Sequence, residues 1–285
     1  MNKANFIAPS FRYLDKEVVL AVENVRSLGY DLILPETKLK TFRMFAARPK
    51  KRTFSVNSVF RDSSSQLVFA IKGGYGALEI LPTIDYDAFE LNKKKLFGFS
   101  DITAILNAVY QKTGVITYHA PNAGSIGRSF TSLEKTVMSK LINGDSISYS
   151  LKGKKTRNTT KSIYRGKSAG GNLVIMCDLL GTEYQVDCKD KIVFLECQAT
   201  KGYRIYVKLV QLYLSGSLKN CSCVVLGHFR KCNHFTPKYI DAFFKNYPVP
   251  VVWWEDYGHG SPNNPFPIGA ETIVDLEKGI LIFNQ

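Results

Sequence analysis

The sequence predicts an α/β protein in which an N-terminal Rossmann- or flavodoxin-like parallel-sheet lobe precedes a second, smaller α/β lobe. Short apolar runs alternate with helix-like patterns along the first half, which is typical of a parallel sheet flanked by helices. The alternation resumes after a polar, basic segment, and no internal repeat is visible. With 285 residues, 45% of them apolar and 22% charged, the chain is long enough for two lobes with a core each.

Each element of the first half follows from its own pattern. Helical spacing of apolar residues predicts helices over 16–28, 101–112 and 131–142. Short apolar runs predict the intervening strands, which are "NFIAPS" at 5–10, "YDLILPE" at 30–36, "QLVFAIKGG" at 66–74, "KLFGFS" at 95–100 and "GVITYHAP" at 114–121.

A polar, basic segment divides the chain. We expect a linker over 146–165, between a first lobe at 1–145 and a second lobe at 166–285. The second half alternates again and ends in a pattern typical of a hairpin. Its predicted elements are helix "GGNLVIMCDLLG", strand "KIVFLEC", helix "YRIYVKLVQLYLSG", strand "CSCVVLGHF", helix "PKYIDAFFKNY", strand "VPVVWWE" and the terminal pair in "ETIVDLEKGILIFN".

The charge balance favours an anionic partner. The 38 Lys and Arg against 24 Asp and Glu give a formal net charge of +14, which would attract either nucleic acid or an acidic small substrate. The densest basic run, "LKGKKTRNTTK" at 151–161, lacks the interleaved aromatic residues of a base-stacking surface. We therefore interpret it as a solvated loop and do not expect nucleic acid as the partner.

Cysteine spacing and the N-terminal stretch indicate a reducing compartment. The six cysteines show no paired metal-ligand spacing, so we expect reduced structural thiols and no metal. The N-terminal stretch reaches Asp15 and Glu17 too early for a secretory signal, and no apolar run has the roughly 18 residues of a membrane span. A cytoplasmic protein without membrane association is the prediction.

Ser100 lies where an apolar strand pattern ends and a helical pattern begins. Gly98 precedes it by two positions, as in a nucleophile elbow that presents a hydroxyl beside free amide groups at a helix N-terminus. Serine is also a preferred N-cap residue, and Ile102 stands where the second glycine of GxSxG would be. From this stretch alone, Ser100 is either a nucleophile or a helix cap.

A glycine-rich turn follows the strand that begins at Gln66. Gly73, Gly74 and Gly76 would let backbone N–H groups approach a ligand closely, so the turn could bind phosphate or an oxyanion. It has neither the GxGxxG spacing of a dinucleotide fold nor the Gly-Lys-Ser/Thr of a P-loop. A plain tight turn is the alternative.

A serine hydrolase would need a base and a carboxylate. His259 lies between glycines directly after an apolar strand, where an imidazole could project into a cleft. His119 and His228 also follow strands, as structural histidines can, whereas His234 has the context of a loop residue. Glu196 ends the apolar strand "KIVFLE", so it is either paired at a cleft edge or a solvent-facing strand end.

Taken in order, these stretches resemble the serine LD-carboxypeptidases and the related microcin immunity peptidases. The matches cover most of the chain and are "IAPS", "GGYG", "GFSDITA", "GGNL", "LGT", "IVFLE", "VVLGHF", "YGHG" and "PIG".

The resemblance implies a catalytic triad divided between the lobes. Ser100 would be the nucleophile, His259 the general base and Glu196 the residue that orients the imidazole. Backbone N–H groups near Gly74 and Asp101 would form the oxyanion hole, while the Asp101 side chain would serve the helix N-terminus. No cofactor or metal, a cytoplasmic location and a homodimer are also implied.

The implied activity is hydrolysis of an amide bond to a terminal D-amino acid, as in trimming murein tetrapeptides to tripeptides during peptidoglycan recycling. A small anionic peptide suits the basic protein. Asn172 and Arg204 are candidates to hold a substrate carboxylate. Asn172 could instead cap the following helix, and Arg204 could be a surface residue.

The chain departs from the family pattern beside the triad. Cys197, Thr200 and Val207 replace residues that are usually acidic, acidic and basic, and Glu79 replaces an arginine. Two alternatives therefore stay open: a microcin-immunity-type amidase that cleaves a toxic peptidyl or aminoacyl nucleotide, and a non-catalytic polyanion-binding protein.

Overall fold

The computed structural model describes residues 2–34, 40–124 and 127–285. In these ranges the N-terminal half builds a six-stranded sheet, completed by one strand from near the C-terminus. Its strands are β1 (Asn2–Ile7), β2 (Tyr30–Ile33), β3 (Leu67–Ala70), β4 (Lys95–Gly98), β5 (Thr117–His119) and β12 (Phe266–Ile268).

The first five strands are parallel and lie in the order β2-β1-β3-β4-β5. This is the flavodoxin-like order of a doubly wound sheet, so the predicted fold class is confirmed. In such sheets the ligand crevice lies outside the carboxyl ends of the strands. Ser100 follows β4 at that edge, and the glycine-rich turn follows β3.

Helices connect these strands and cover the sheet. They are α1 (Asp15–Arg26), α2 (Pro49–Arg61), α3 (Ala77–Ile80), α4 (Tyr86–Leu91), α5 (Thr103–Thr113) and α6 (Ser132–Asn143). The sequence patterns predicted α1, α5 and α6 but not α2. Helix α2 buries only two apolar side chains, Val56 and Phe60, together with Arg52 and Asn57, so its apolar periodicity is weak.

Within the described ranges, the second half forms an eight-stranded mixed sheet, the wider of the two. Its strands are β6 (Ile147–Ser150), β7 (Thr156–Arg157), β8 (Ile163–Asn172), β9 (Ile192–Gln198), β10 (Cys223–Arg230), β11 (Val251–Trp253), β13 (Glu271–Asp275) and β14 (Ile280–Asn284). The flanking helices are α7 (Leu173–Asp178), α8 (Gly202–Leu214) and α9 (Thr236–Asn246). β13 and β14 form the predicted hairpin.

The segment 146–165, expected to be a linker, contains β6, β7 and the beginning of β8. β6 pairs with β14, and Ile147 and Tyr149 on one face of it are buried. The alternating run "SISYSLK" is thus a half-buried strand. The segment belongs structurally to the second sheet, because its apolar positions gain a core by pairing there.

One aromatic core joins the two sheets. β12 pairs antiparallel with β5, which places Phe266 opposite His119. The Phe266 ring stacks on the rings of His119 and of Phe194 of β9, with ring centroids 4.7 Å and 4.3 Å apart, respectively. Residues of both halves therefore pack against each other without an intervening solvent layer.

Candidate active site

Ser100 begins a single 3-10 turn between β4 and α5, and its backbone is in the left-handed region with φ of 66°. A non-glycine residue there costs about 1–2 kcal/mol, which is typical of a functional site. The residues in the cap positions of this turn and of α5, Phe99 and Ile102, make no side-chain cap hydrogen bond. The Ser100 hydroxyl is instead 3.1 Å from Nε2 of His259, so the contacts do not support the helix-cap interpretation.

Glu196 lies on the other side of His259. Its Oε2 is 2.6 Å from Nδ1 of the ring and also accepts the His259 backbone N–H at 3.1 Å. A carboxylate partner on Nδ1 keeps the proton on that nitrogen, so that Nε2 is left to accept the Ser100 hydroxyl proton. Ser100, His259 and Glu196 are therefore joined in one hydrogen-bonded series.

Several contacts keep the buried Glu196 charged. Burial by itself raises the pKa of Glu196, but the charge and hydrogen bond of His259 and the amide of Asn172 lower it below its usual range. Gly258 has φ of 93°, and a Cβ on it would lie 2.6 Å from Cγ of Glu196. A glycine is required there for the chain to pass over the carboxylate.

Asn172 touches the Glu196 carboxylate and also lines a small cavity beside Ser100 and His259. Its Oδ1 accepts the backbone N–H groups of Val174 and Ile175 and so caps α7, as the alternative interpretation held. Its Nδ2 donates to Oε1 of Glu196 at 2.9 Å. Arg204 lies exposed in the first turn of α8, and it is absent from the cavity lining described below.

The two proposed oxyanion donors, Gly74 and Asp101, line a small cavity together with Ser100 and His259. Gly74 has φ of 120°, and a Cβ there would lie 2.3 Å from the Phe11 ring. The Asp101 side chain was expected to serve the helix that follows it. It accepts the Ala77 N–H at 2.9 Å instead and thereby caps α3, because the buried turn points it towards the neighbouring loop.

A larger cavity of about 540 Å³ opens in front of Ser100 and His259. Four cationic side chains contribute to its lining; these are Lys72, Arg128, Arg230 and Lys231. Lys72 is paired with Glu17 at 2.7 Å and Arg128 with Glu134 at 2.6 Å. Arg230 and Lys231 have no ion pair among the described residues, so they are the free cations of the cavity. Sequence reasoning missed them, although Arg230 ends β10 and Lys231 follows it directly, at the carboxyl end of the strand.

The other histidines do not reach Ser100. His119 is fully buried among aromatic rings, and neither ring nitrogen has a hydrogen-bond partner in the part of the chain that the structure describes. Burial lowers its pKa to about 4. Nε2 of His228 contacts the Pro262 carbonyl oxygen at 3.1 Å. The ring of His234 packs on Phe235 in a loop.

The described residues contain neither a cluster of metal-ligating side chains nor a membrane-spanning helix. No group of three or more His, Cys, Asp or Glu side chains there is arranged to hold a metal ion. No helix in those residues has the length and apolar character to cross a membrane. All six cysteines are free thiols.

Two solved structures share the fold of this chain. A muramoyltetrapeptide carboxypeptidase from Oxalobacter formigenes superimposes with a TM-score of 0.87 at 22% identity, over 99% of each chain. The protein MccF, in complex with glutamyl sulfamoyl guanosine, superimposes with a TM-score of 0.88 at 19% identity, over 100% of this chain and 96% of that one. At these identities the likeness establishes a shared fold. The first of these proteins is a carboxypeptidase, so it uses this fold for peptide hydrolysis.

Sequence comparison then gives the family. Residues 5–120 match the model of the LD-carboxypeptidase N-terminal domain, and residues 165–274 match that of the C-terminal domain. The chain belongs to the LD-carboxypeptidase family, whose members are peptidases. A probable murein peptide carboxypeptidase of Bacillus subtilis is 25% identical over 95% of this chain and 88% of its own. The murein tetrapeptide carboxypeptidase of Pseudomonas aeruginosa is 24% identical over 94% of this chain and 92% of its own length.

Proposed function

We propose that the protein is a serine carboxypeptidase that hydrolyses the amide bond to a terminal D-amino acid. The observation that carries this proposal is the hydrogen-bonded series from Ser100 through His259 to Glu196. A serine hydroxyl is a poor nucleophile at neutral pH, so it needs an adjacent base, and that base needs a partner to fix its tautomer. Both needs support the proposal, because His259 lies within hydrogen-bond distance of Ser100 and Glu196 lies within hydrogen-bond distance of His259.

The reaction would proceed through an acyl-enzyme. Oγ of Ser100 attacks the scissile carbonyl carbon while Nε2 of His259 takes the hydroxyl proton. The imidazolium then gives this proton to the departing amine, which breaks the C–N bond and releases the D-amino acid. A water molecule, deprotonated by His259, hydrolyses the ester. The N–H groups of Gly74 and Asp101 are the proposed oxyanion donors, since both residues line the cavity beside Ser100.

A murein tetrapeptide is the proposed substrate. Its carboxylates suit a cavity whose free cations are Arg230 and Lys231, and two family relatives carry murein peptides in their names. In this proposal the lobes 1–145 and 166–285 contribute opposite walls of the cleft. A homodimer in the cytoplasm remains the prediction for the assembly and its location.

Release of D-alanine from murein tetrapeptide tests the proposal directly. Ser100→Ala removes the nucleophile, so we expect kcat to fall by about 10⁴-fold or more. Ser261→Ala is the matched control, because Ser261 lines the same cavity but is not hydrogen-bonded to His259. The assignment of the triad is wrong if the Ser100→Ala protein turns over at the wild-type rate.

The second candidate is an amidase that acts on an aminoacyl nucleotide. It is favoured by the likeness to MccF, which has been solved with glutamyl sulfamoyl guanosine and with aspartyl sulfamoyl adenosine. Hydrolysis of an aminoacyl sulfamoyl nucleoside, together with no D-alanine release from murein tetrapeptide, would establish this function in place of the first. Both functions need Ser100.

A further inference from the structure

A fully buried arginine lies behind the glycine-rich turn. Arg52 belongs to α2, and its side chain has no exposure to solvent. Its Nε donates to the Ala47 carbonyl oxygen at 3.0 Å, and Nη1 donates to the carbonyl oxygens of Pro9 and Gly76, to the latter at 2.7 Å. Nη2 donates to the Glu79 carboxylate of α3. The planar guanidinium thus joins three separate segments of the first lobe.

One peptide group at the end of the turn is held from both sides. Its carbonyl oxygen, on Gly76, accepts from Arg52, and its N–H, on Ala77, donates to Asp101 at 2.9 Å. The turn packs so closely on the guanidinium that a Cβ on Gly76 would lie 2.7 Å from Nη1 of Arg52. Displacement of the guanidinium would therefore release one side of this peptide group.

The proposed oxyanion donor lies between two fixed points of the turn. At one end the Gly73 carbonyl oxygen accepts the Phe11 N–H at 3.3 Å, and at the other end Arg52 holds Gly76. Within the residues that the structure describes, the Gly74 N–H donates to no other group. The direction of this N–H is therefore set by the backbone on either side of it.

We propose that Arg52 is a positioning residue, which keeps the glycine-rich turn in the conformation that oxyanion binding requires. The inference rests on the proposed function, in which the Gly74 N–H stabilises the negative charge on the carbonyl oxygen. Such a donor is effective only if it is fixed before the reaction begins, and loss of one donor lowers kcat by about 10²- to 10³-fold. Arg52 lines neither cavity, so it acts through the turn.

Glu79 contributes the charge that this arrangement needs. A fully buried cation is stable only when it is paired and hydrogen-bonded. The Glu79 carboxylate supplies the pairing from the surface, because 54% of its side chain is exposed. Glu79 can therefore be replaced without opening the core, whereas Arg52 cannot.

Hydrogen exchange and kinetics of Arg52→Lys test the proposal. The variant keeps the positive charge, but an ammonium group lacks the planar fork that bridges the three segments. We expect the Ala77 N–H to exchange about tenfold faster by NMR, because its peptide group loses one of two anchors. kcat for D-alanine release should fall by about 10- to 100-fold while KM changes by less than about twofold, since Gly74 acts on the transition state.

Arg61→Lys is the matched control. Arg61 lies on the same helix and pairs with Asp85, but its side chain is exposed. Neither the exchange at Ala77 nor kcat should change in this variant.

A transition-state analogue separates positioning from a loss of stability. A peptide boronic acid forms a tetrahedral adduct with a serine hydroxyl and places an oxygen in the oxyanion hole. In Arg52→Lys its inhibition constant should rise by about the factor by which kcat/KM falls. A protein that was only less stable would contain fewer active molecules, and those would bind the boronic acid normally.

Glu79 variants keep the proposal testable if Arg52→Lys does not fold. Glu79→Ala removes the partner charge, so we expect kcat to fall by about three- to tenfold with KM unchanged and the Ala77 N–H to exchange faster. Glu79→Gln keeps an oxygen that can accept from Nη2 and should retain most of the wild-type kcat.

The outcomes distinguish the inference from the proposed function. Unchanged exchange at Ala77 in both Arg52→Lys and Glu79→Ala would overturn the anchoring of the turn. Faster exchange with an unchanged kcat would overturn its link to catalysis. If the wild-type protein releases no D-alanine and the variants still loosen the turn, the proposed function fails while the anchoring by Arg52 stands.

Discussion

At the residue scale, Glu196 shows how a fully buried carboxylate is kept ionised. Oε1 receives the Asn172 amide, and Oε2 receives both the ring and the backbone N–H of His259. An unpaired carboxylate in this position would be protonated, because burial alone favours the neutral form. The charge of Glu196 therefore depends on the residues that also orient the base.

Replacing Glu196 by Gln tests this dependence. The amide keeps the size of the side chain but can no longer accept from all three donors as a charged group, so the imidazole loses its fixed tautomer. We expect kcat for D-alanine release to fall by about 10³- to 10⁴-fold with little change in KM. Glu255→Gln is the control, because Glu255 is exposed. A loss of less than tenfold in the Glu196 variant would show that the carboxylate does not orient His259.

Sequence reasoning made Ser100, His259 and Glu196 candidates, because each stands at or just after the end of an apolar strand pattern, and the family resemblance gave them their proposed roles. It could not identify the contact of the Asp101 side chain. The acceptor bond to Ala77 depends on a turn between α3 and β3 that lies 24 positions away in the sequence. Periodicity describes one element at a time and carries no information on such a pairing.

At the element scale, α5 is fastened to β8 by Asn107 and Thr103. The Asn107 side chain donates to the Gly170 carbonyl at 2.9 Å and accepts the Gly170 N–H at 3.0 Å, and Oγ1 of Thr103 accepts the Asn172 N–H. Ser100 precedes α5, and Asn172 holds Glu196. Contacts between α5, which follows Ser100, and β8 of the second sheet thus set the distance between Ser100 and His259, the proposed nucleophile and its base.

Asn107→Ala is the corresponding prediction. It leaves two buried backbone groups of Gly170 without partners, so the free energy of unfolding should fall by about 2–4 kcal/mol. kcat should fall as well, because Ser100 loses its fixed distance to His259. Lys112→Ala, which removes an exposed ion pair from the same helix, should cost less than about 1 kcal/mol. Urea unfolding of both variants measures the difference, and equal losses would contradict the fastening role.

The end of β10 carries a prediction of its own. Arg230→Ala and Lys231→Ala should each raise KM for murein tetrapeptide by about fivefold or more and leave kcat nearly unchanged, since the cations bind the peptide rather than the transition state. The effect should shrink at high salt. Lys219→Ala is the control, because Lys219 is exposed and lies outside the cavity. An unchanged KM in both variants would remove these residues from substrate binding.

At the scale of the whole molecule, two buried groups respond to pH in opposite directions. Burial raises the pKa of Asp101 to about 6, so the folded protein binds this proton more tightly than the unfolded chain, and stability falls as pH rises from about 4 to 6. Burial lowers the pKa of His119 to about 4, so stability rises with pH between about 4 and 6.5. The two effects nearly cancel.

Single substitutions should reveal each effect. A change in pKa from 3.8 to about 6 corresponds to about 3 kcal/mol. Asp101→Asn leaves His119 alone to titrate, so the free energy of unfolding should increase from pH 4 to 6.5 more steeply than in the wild type. His119→Phe should give the opposite slope. Urea unfolding at several pH values between 4 and 6.5 measures both slopes. Parallel plots of the free energy of unfolding against pH for the two variants would contradict the opposite effects of Asp101 and His119.

The class of the first sheet, a parallel sheet flanked by helices, was predictable because strands and helices alternate along the chain. The crossing of β12 into that sheet was not, since "FPI" is three residues long and its partner β5 lies about 150 positions earlier. The basic segment was expected to separate the lobes because it is polar. Its pairing with β14 depends on an alternation of only two buried residues, Ile147 and Tyr149.

The return of β12 to the first sheet determines how the molecule would respond to a cut in its backbone. Cleavage at the exposed turn 152–153, between β6 and β7, would leave two pieces still joined by the β5–β12 pairing and by Phe266 between His119 and Phe194. The nicked protein should therefore elute as one particle and keep its activity, and separately produced halves should restore activity when mixed. Removal of Phe266 and the residues after it should separate Ser100 from His259. A break in the backbone between the lobes should not.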